Sequence, residues 1–143
     1  MGMLMGNIFL FWGTWQDIKE KKVTSNYLRI GAVVGLLYKI TGIAQKADLI
    51  KDWMGALLPG IVLLILAKMT KEKIGYGDGS VIVILGNYWN LKEIWLVLQG
   101  ALVLTMIVSV ILLITKKVGK EYEMPFLPFL WLSHTLLWGL GYV

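Results

Sequence analysis

Two aspartates in this 143-residue chain are placed where they could do chemistry. Asp17 follows an apolar run that begins near Met3, and Asp78 stands in Gly75-Tyr76-Gly77-Asp78-Gly79, directly ahead of another apolar run. An acid at the edge of a hydrocarbon-like segment is costly, which makes such a position a functional candidate by default. Two carboxylates held at one site cannot both ionise easily, so they share a proton. The ionised member can take a proton from water while the protonated member polarises a scissile carbonyl. Such a pair titrates as a unit, and the acid and base roles are not divided between Asp17 and Asp78 at this level. The chemistry uses no metal, no cofactor and no covalent intermediate. It suits a chain with no cysteine, which has no thiol nucleophile, thiolate metal site or disulfide, and with one histidine.

Gly75, Gly77 and Gly79 let the backbone around Asp78 turn sharply and approach a neighbouring helix closely. The plainer alternative is a glycine-rich turn in which Asp78 is a helix N-cap.

The elements that must carry these acids are apolar helices. The chain is 57% hydrophobic and 16% charged, against about 25% charged in ordinary soluble domains. Six apolar segments are predicted: Met3–Gln16, Tyr27–Thr41, Trp53–Met69, Gly79–Trp89, Ile94–Thr115 and Pro125–Tyr142. The fifth is long enough to cross roughly 30 Å of hydrocarbon unaided. The first and fourth reach that length only by running past Asp17 and Asp78, which puts both acids at a membrane boundary. The expected fold is all-α, a polytopic membrane protein of about six transmembrane helices, with residues 1–143 as a single domain. Pro59-Gly60 predicts a kink in the third segment. Met1–Trp15 lacks a basic start and a small-residue cleavage site, so it is expected to be a retained first helix.

Orientation follows from the basic residues. Lys19, Lys21, Lys22, Arg29, Lys68, Lys71, Lys73, Lys116, Lys117 and Lys120 lie on one side of a six-span arrangement, and Lys39, Lys46, Lys51 and Lys92 on the other. Positive charge is retained in the cytoplasm, so the ten mark the inner face, the amino terminus is outside, and Asp17 and Asp78 share the cytoplasmic edge. The net charge of +5 therefore reads as a topology signal, with no nucleic acid as partner. Trp12, Trp15, Trp53, Tyr88, Trp89, Trp95 and Tyr142 fall near segment ends, as an interfacial belt requires.

In this order the motifs resemble those of type IV prepilin peptidases, GxGD intramembrane aspartyl peptidases. Asp17-Ile18-Lys19-Glu20-Lys21-Lys22-Val23 is similar to the family's first motif, Gly75-Tyr76-Gly77-Asp78 to its GxGD motif, and Pro125-Phe126-Leu127-Pro128-Phe129 to its Pro-Phe-rich entry into the last helix. The resemblance implies a multi-pass protein of the inner or cytoplasmic membrane that cuts the leader from prepilins or pseudopilins at the cytoplasmic face, with Asp17 and Asp78 in the two catalytic positions. The substrate's apolar helix and membrane lipids are the implied partners. Many members also carry a cysteine-containing amino-terminal domain and methylate the new amino terminus; the short form here implies cleavage without methylation. Thr24-Ser25-Asn26 replaces a common Pro-Asn, Ser80 a common lysine, and Leu127 a common glycine.

Other residues carry lesser expectations. Glu121 and Glu123 lie in a cytoplasmic loop, solvated or touching the basic start of a substrate leader. His134 in the last helix reads as a packed, hydrogen-bonded core residue. Asp48 and Asp52 fall on the external side as surface charges. Two further readings of the acid pair are a preflagellin-type peptidase and, from another class, a small proton or cation transporter; a non-enzymatic pilus assembly factor is a third. Substrate identity, cleavage sequence and oligomeric state lie beyond the sequence.

Overall fold

A computed structural model describes residues 1–20, 23–43, 49–70, 75–115 and 124–143. Among them the chain is all-helical, with six helices and no strands: α1 (Gly2–Glu20), α2 (Ser25–Ile43), α3 (Leu49–Met69), α4 (Tyr76–Leu85), α5 (Leu91–Ile114) and α6 (Leu127–Gly139). Each answers to one of the six apolar segments, in the same order.

α4 is the centre of the core. Val81, Ile82, Ile84 and Leu85 are buried, as is Trp89 in the turn that follows. A helix apolar on every side is stable only when neighbours cover every side. Around it lie Phe9 and Leu10 of α1, Ala56 of α3, Ile94, Val97 and Ala101 of α5, and Leu127 and Leu130 of α6. The tightest seam joins α3 and α4. A Cβ on Gly60 would sit 2.5 Å from Val83 N, and one on Gly86 would sit 2.8 Å from Ala56 O. Small residues one turn apart thus bring the two backbones into contact, the usual way apolar helices associate without a hydrophobic gradient between them. Pro59 lies within α3 without ending it; the next residue, Gly60, is the one that receives α4.

The α4–α5 turn is held by polar groups. Trp53 Nε1 donates to Asn87 Oδ1 (3.0 Å), and the Tyr88 hydroxyl donates to Gly31 O (3.0 Å). Asp52 Oδ1 accepts from Leu91 N–H (3.2 Å) and Glu93 Oε2 from Asn90 N–H (2.9 Å), so these two acids cap the start of α5. Asp52, expected to be a surface charge, is half-buried and structural.

The helices run past the apolar segments where the acids sit, as the length argument required. α1 continues beyond Gln16 through Asp17 to Glu20. α4 begins at Tyr76, so Asp78 is its third residue rather than the residue before it, and it ends at Leu85 rather than Trp89. Its 10 residues rise about 15 Å, half the thickness of the hydrocarbon layer. α6, at 13 residues, rises about 20 Å. Among the described residues two helices are long and apolar enough to cross a membrane: Ile50–Met69 within α3 and Leu91–Ile114, which is α5. The number of spans is thus left at two by length and composition, short of the expected six.

Candidate active site

Asp17 lies near the carboxyl end of α1, outside both membrane-length helices, and is 6% exposed. Its Oδ2 accepts the Leu127 N–H across 3.1 Å. Leu127 opens α6, where the first N–H groups have no partner inside the helix; Asp17 supplies one from another helix. Three residues earlier on the same face of α1, the buried Thr14 hydroxyl donates to Leu127 O (3.2 Å). The Leu127 side chain is fully buried over Gly13, where a Cβ would lie 2.9 Å from Leu127 Cδ2. Gly13, Thr14 and Asp17 therefore form a socket for one residue of α6.

Asp78 sits in the first turn of α4 and is half-buried. The N-cap of α4 is Gly75, not Asp78, and no side chain caps it. The Asp78 carboxylate folds back over Gly75, where a Cβ would come within 2.9 Å of Oδ2. Gly75 is thus needed for room, not for a sharp turn: its φ is −58°. Gly77 and Gly79 are helical, and the positive-φ glycine among the described residues is Gly141. Gly79 packs against Leu64 of α3, and Gly77 faces the Val23 side chain, with Val23 Cγ2 3.4 Å from a Cβ built there. Val23 ends the first acidic motif, so the segments that carry the two aspartates touch. Gln16 Oε1 accepts from Thr24 N–H (3.3 Å), which holds the chain after α1 on the same side.

The Asp78 carboxyl senses the charge of Asp17. Burial raises the Asp17 carboxyl above its ordinary range, and the Leu127 N–H acts in the opposite sense. Asp78 is pushed up to about 7, first by burial and then by the charge of Asp17. Among the described residues no cation contributes to the setting of either acid. A carboxyl raised in this way can keep its proton near neutral pH beside a charged neighbour.

The remaining candidates lie elsewhere. His134 is buried, stacked on Trp89 at 4.5 Å, and its Nδ1 lies 3.3 Å from Asn7 Nδ2, a packed core residue as expected. Glu121 and Glu123 lie outside the described residues, as do Lys21, Lys22, Lys71, Lys73, Lys116, Lys117 and Lys120. No group of three or more His, Asp or Glu among the described residues is arranged to hold a metal ion. Thr14 and Gly13 drew no attention in the sequence, since a threonine and a glycine inside an apolar helix are ordinary. Leu127 stood out only against a motif that the chain resembles, and its bulk is matched by the missing side chain at Gly13. Compared with family models, curated proteins and solved structures, the chain matches none.

Proposed function

We propose that this chain is an integral membrane aspartyl endopeptidase, of the prepilin peptidase kind, that removes the leader of prepilin- or pseudopilin-like substrates. The observation that carries the reading is that two acids from separate helices, the buried Asp17 and the half-buried Asp78, come close enough for the charge of Asp17 to raise the Asp78 carboxyl, with no cation among the described residues contributing.

Lipid is the natural surrounding for such a pair. Only 22% of the Ile50–Met69 window and 17% of the α5 window are buried inside the protein. The core helix of a soluble protein would be mostly covered. Ile8, Phe11 and Trp12 of α1 and Leu102, Met106 and Val110 of α5 are likewise exposed, a large apolar surface that water would not tolerate. All six helices then enter the inner membrane, the amino terminus lies outside, and the acids sit at the cytoplasmic boundary where the basic loops are.

In the reaction a water oxygen bonds to the scissile carbonyl carbon. One proton of that water passes to the ionised aspartate, and the protonated aspartate gives its proton to the carbonyl oxygen. The tetrahedral species then breaks its C–N bond. The leaving amine takes the proton held by the first aspartate, and a hydroxyl proton returns to the second, so one water is consumed and both acids are restored. The peptide must be extended there, because a helical bond is shielded by its own backbone. An apolar groove of about 600 Å³ between α1 and α2, walled by Ile8, Trp12, Tyr27, Ile30 and Val34, turns polar at Gln16, Thr24 and Asn26, the end nearest Asp17. It offers a seat for the apolar helix of the substrate with its leader directed to the acids.

The test is cleavage in liposomes of a pilin-like protein with glycine ahead of its apolar helix. Asp17→Asn and Asp78→Asn should each lower the rate by at least about 100-fold with helix content unchanged. Near-normal cleavage by either variant would remove the dyad. A preflagellin-type substrate in the same assay separates the two nearest specificities, and ion flux without cleavage would point to the transporter reading instead.

A further inference from the structure

We infer that the pair is asymmetric, with Asp17 the proton acceptor and Asp78 the proton donor, and that Thr14 is the positioning residue that fixes this division by holding Leu127 against Asp17. The inference deepens the peptidase reading and takes its chemistry from it, although where the proton sits can be measured without any cleavage.

The two carboxylates are solvated by the protein in different ways. Asp17 Oδ2 receives a backbone N–H at 3.1 Å, and a hydrogen bond of that kind favours the charged form. The N–H belongs to the first residue of α6, so the carboxylate also faces the positive end of a 13-residue helix. Asp78 receives no hydrogen bond among the described residues and rests against the Gly75 backbone, in a helix start without a side-chain cap. It has the amino end of α4 nearby, but that helix is shorter and no N–H is directed at the carboxylate. The proton therefore resides on Asp78, and the charge on Asp17.

Thr14 matters because the Leu127 N–H can be lost by a small rotation of the α6 start. The Thr14 hydroxyl holds the carbonyl of the same residue at 3.2 Å, and Gly13 admits its side chain. Leu127 is gripped at its donor, its acceptor and its side chain by one face of α1. Pro125 and Pro128 limit the backbone on either side. At the ends of the surrounding elements nearest the pair, the other described ionisable groups are Lys19 and Glu20 of α1, Tyr27 and Arg29 of α2, Lys68 of α3 and Tyr76 of α4. Lys19, Glu20, Arg29, Lys68 and Tyr76 are exposed, and Tyr27 gives its hydroxyl to Phe9 O. In hydrolysis the water proton accordingly goes to Asp17 and the carbonyl oxygen receives the proton of Asp78.

The experiment is carboxyl-group infrared or carbon-13 NMR titration of the full-length protein in detergent or lipid, with Asp17→Asn and Asp78→Asn as the two references. At mildly acidic pH the signal of a protonated buried carboxyl should vanish in Asp78→Asn and persist in Asp17→Asn; the reverse would overturn the assignment. Thr14→Val should move the Asp17 midpoint upward by about one pH unit, and in the cleavage assay move the acid limb of the rate profile with it. Thr14→Ser, which keeps the hydroxyl, should restore both. An unmoved midpoint in a folded Thr14→Val or Thr14→Ala protein would end the role of Thr14. Absence of cleavage together with the expected carboxyl signals would remove the peptidase reading and leave the proton placement standing.

Discussion

Asp52 and Glu93 at one end of the bundle and Asp17 and Asp78 at the other are carboxylates on the same kind of apolar helix, yet their surroundings differ. At the first end each acid accepts a backbone N–H at the start of α5. Lys39, close by on α2, feels the charge of both. At the second end, among the described residues, the two acids have one backbone N–H between them and no contributing cation. The physical rule separating them is whether the fold supplies compensation for a buried charge. Where it does, the acid serves the fold. Where it does not, the free energy is held in a proton that can be moved, and that is the material of acid–base chemistry.

Three changes test this contrast, the largest effect first. Asp78→Asn should stabilise the protein at alkaline pH by about 2–4 kcal/mol. The sign follows from the raised carboxyl. Below the ordinary value of 3.8 the group is protonated both folded and unfolded, and its ionisation takes nothing from stability. As pH rises from there to about 7, the unfolded chain ionises first and stability falls, with no further change above. The gain in Asp78→Asn should therefore fade as pH drops through that window, read as the difference in melting temperature between variant and wild type. A constant difference across pH would show that Asp78 is not a strained acid.

Gly60→Val comes next. It presses on Val83 N, where even a Cβ would be at 2.5 Å, and should destabilise by about 1–3 kcal/mol. Because α4 carries Asp78, cleavage should fall as well. Gly139→Ala, with no atom within 4 Å of the new Cβ, is the matched control and should change neither. If Gly60→Val melts normally, the α3–α4 seam does not set the position of Asp78.

Asp52→Asn should show the opposite sign to Asp78→Asn. Loss of the charged partner of the Leu91 N–H should destabilise by about 1 kcal/mol and leave cleavage within about twofold (an effect below 0.5 kcal/mol). Stabilisation by this change would erase the contrast between the two ends.

The helices were legible in the sequence because their signal is local. Trp53–Met69 and Ile94–Thr115 are nearly unbroken apolar runs, and both appear as membrane-length helices. The ends were less legible. Gly75, Gly77 and Gly79 read as a turn, yet α4 starts at Tyr76, because glycine permits a turn without requiring one. Trp89 read as the end of the fourth helix, but Asn87 and Trp53 hold the chain there in a turn. The acids at the site stood out by type and position. Thr14 and Gly13 did not, since nothing in their own neighbourhood distinguishes them.

The sequence alone determined that the chain is helical, which segments are apolar, and that Asp17 and Asp78 sit at their edges. Those properties depend on residues a turn or two apart and on the demand that an apolar segment satisfy its own backbone. Only the tertiary structure decided which carboxylate is paired with what. The Asp17–Leu127 bond joins residues 110 positions apart, and the Gly13 vacancy that seats Leu127 is meaningful only once α6 lies against α1. Such matches are set by how whole helices pack, and no local pattern encodes them.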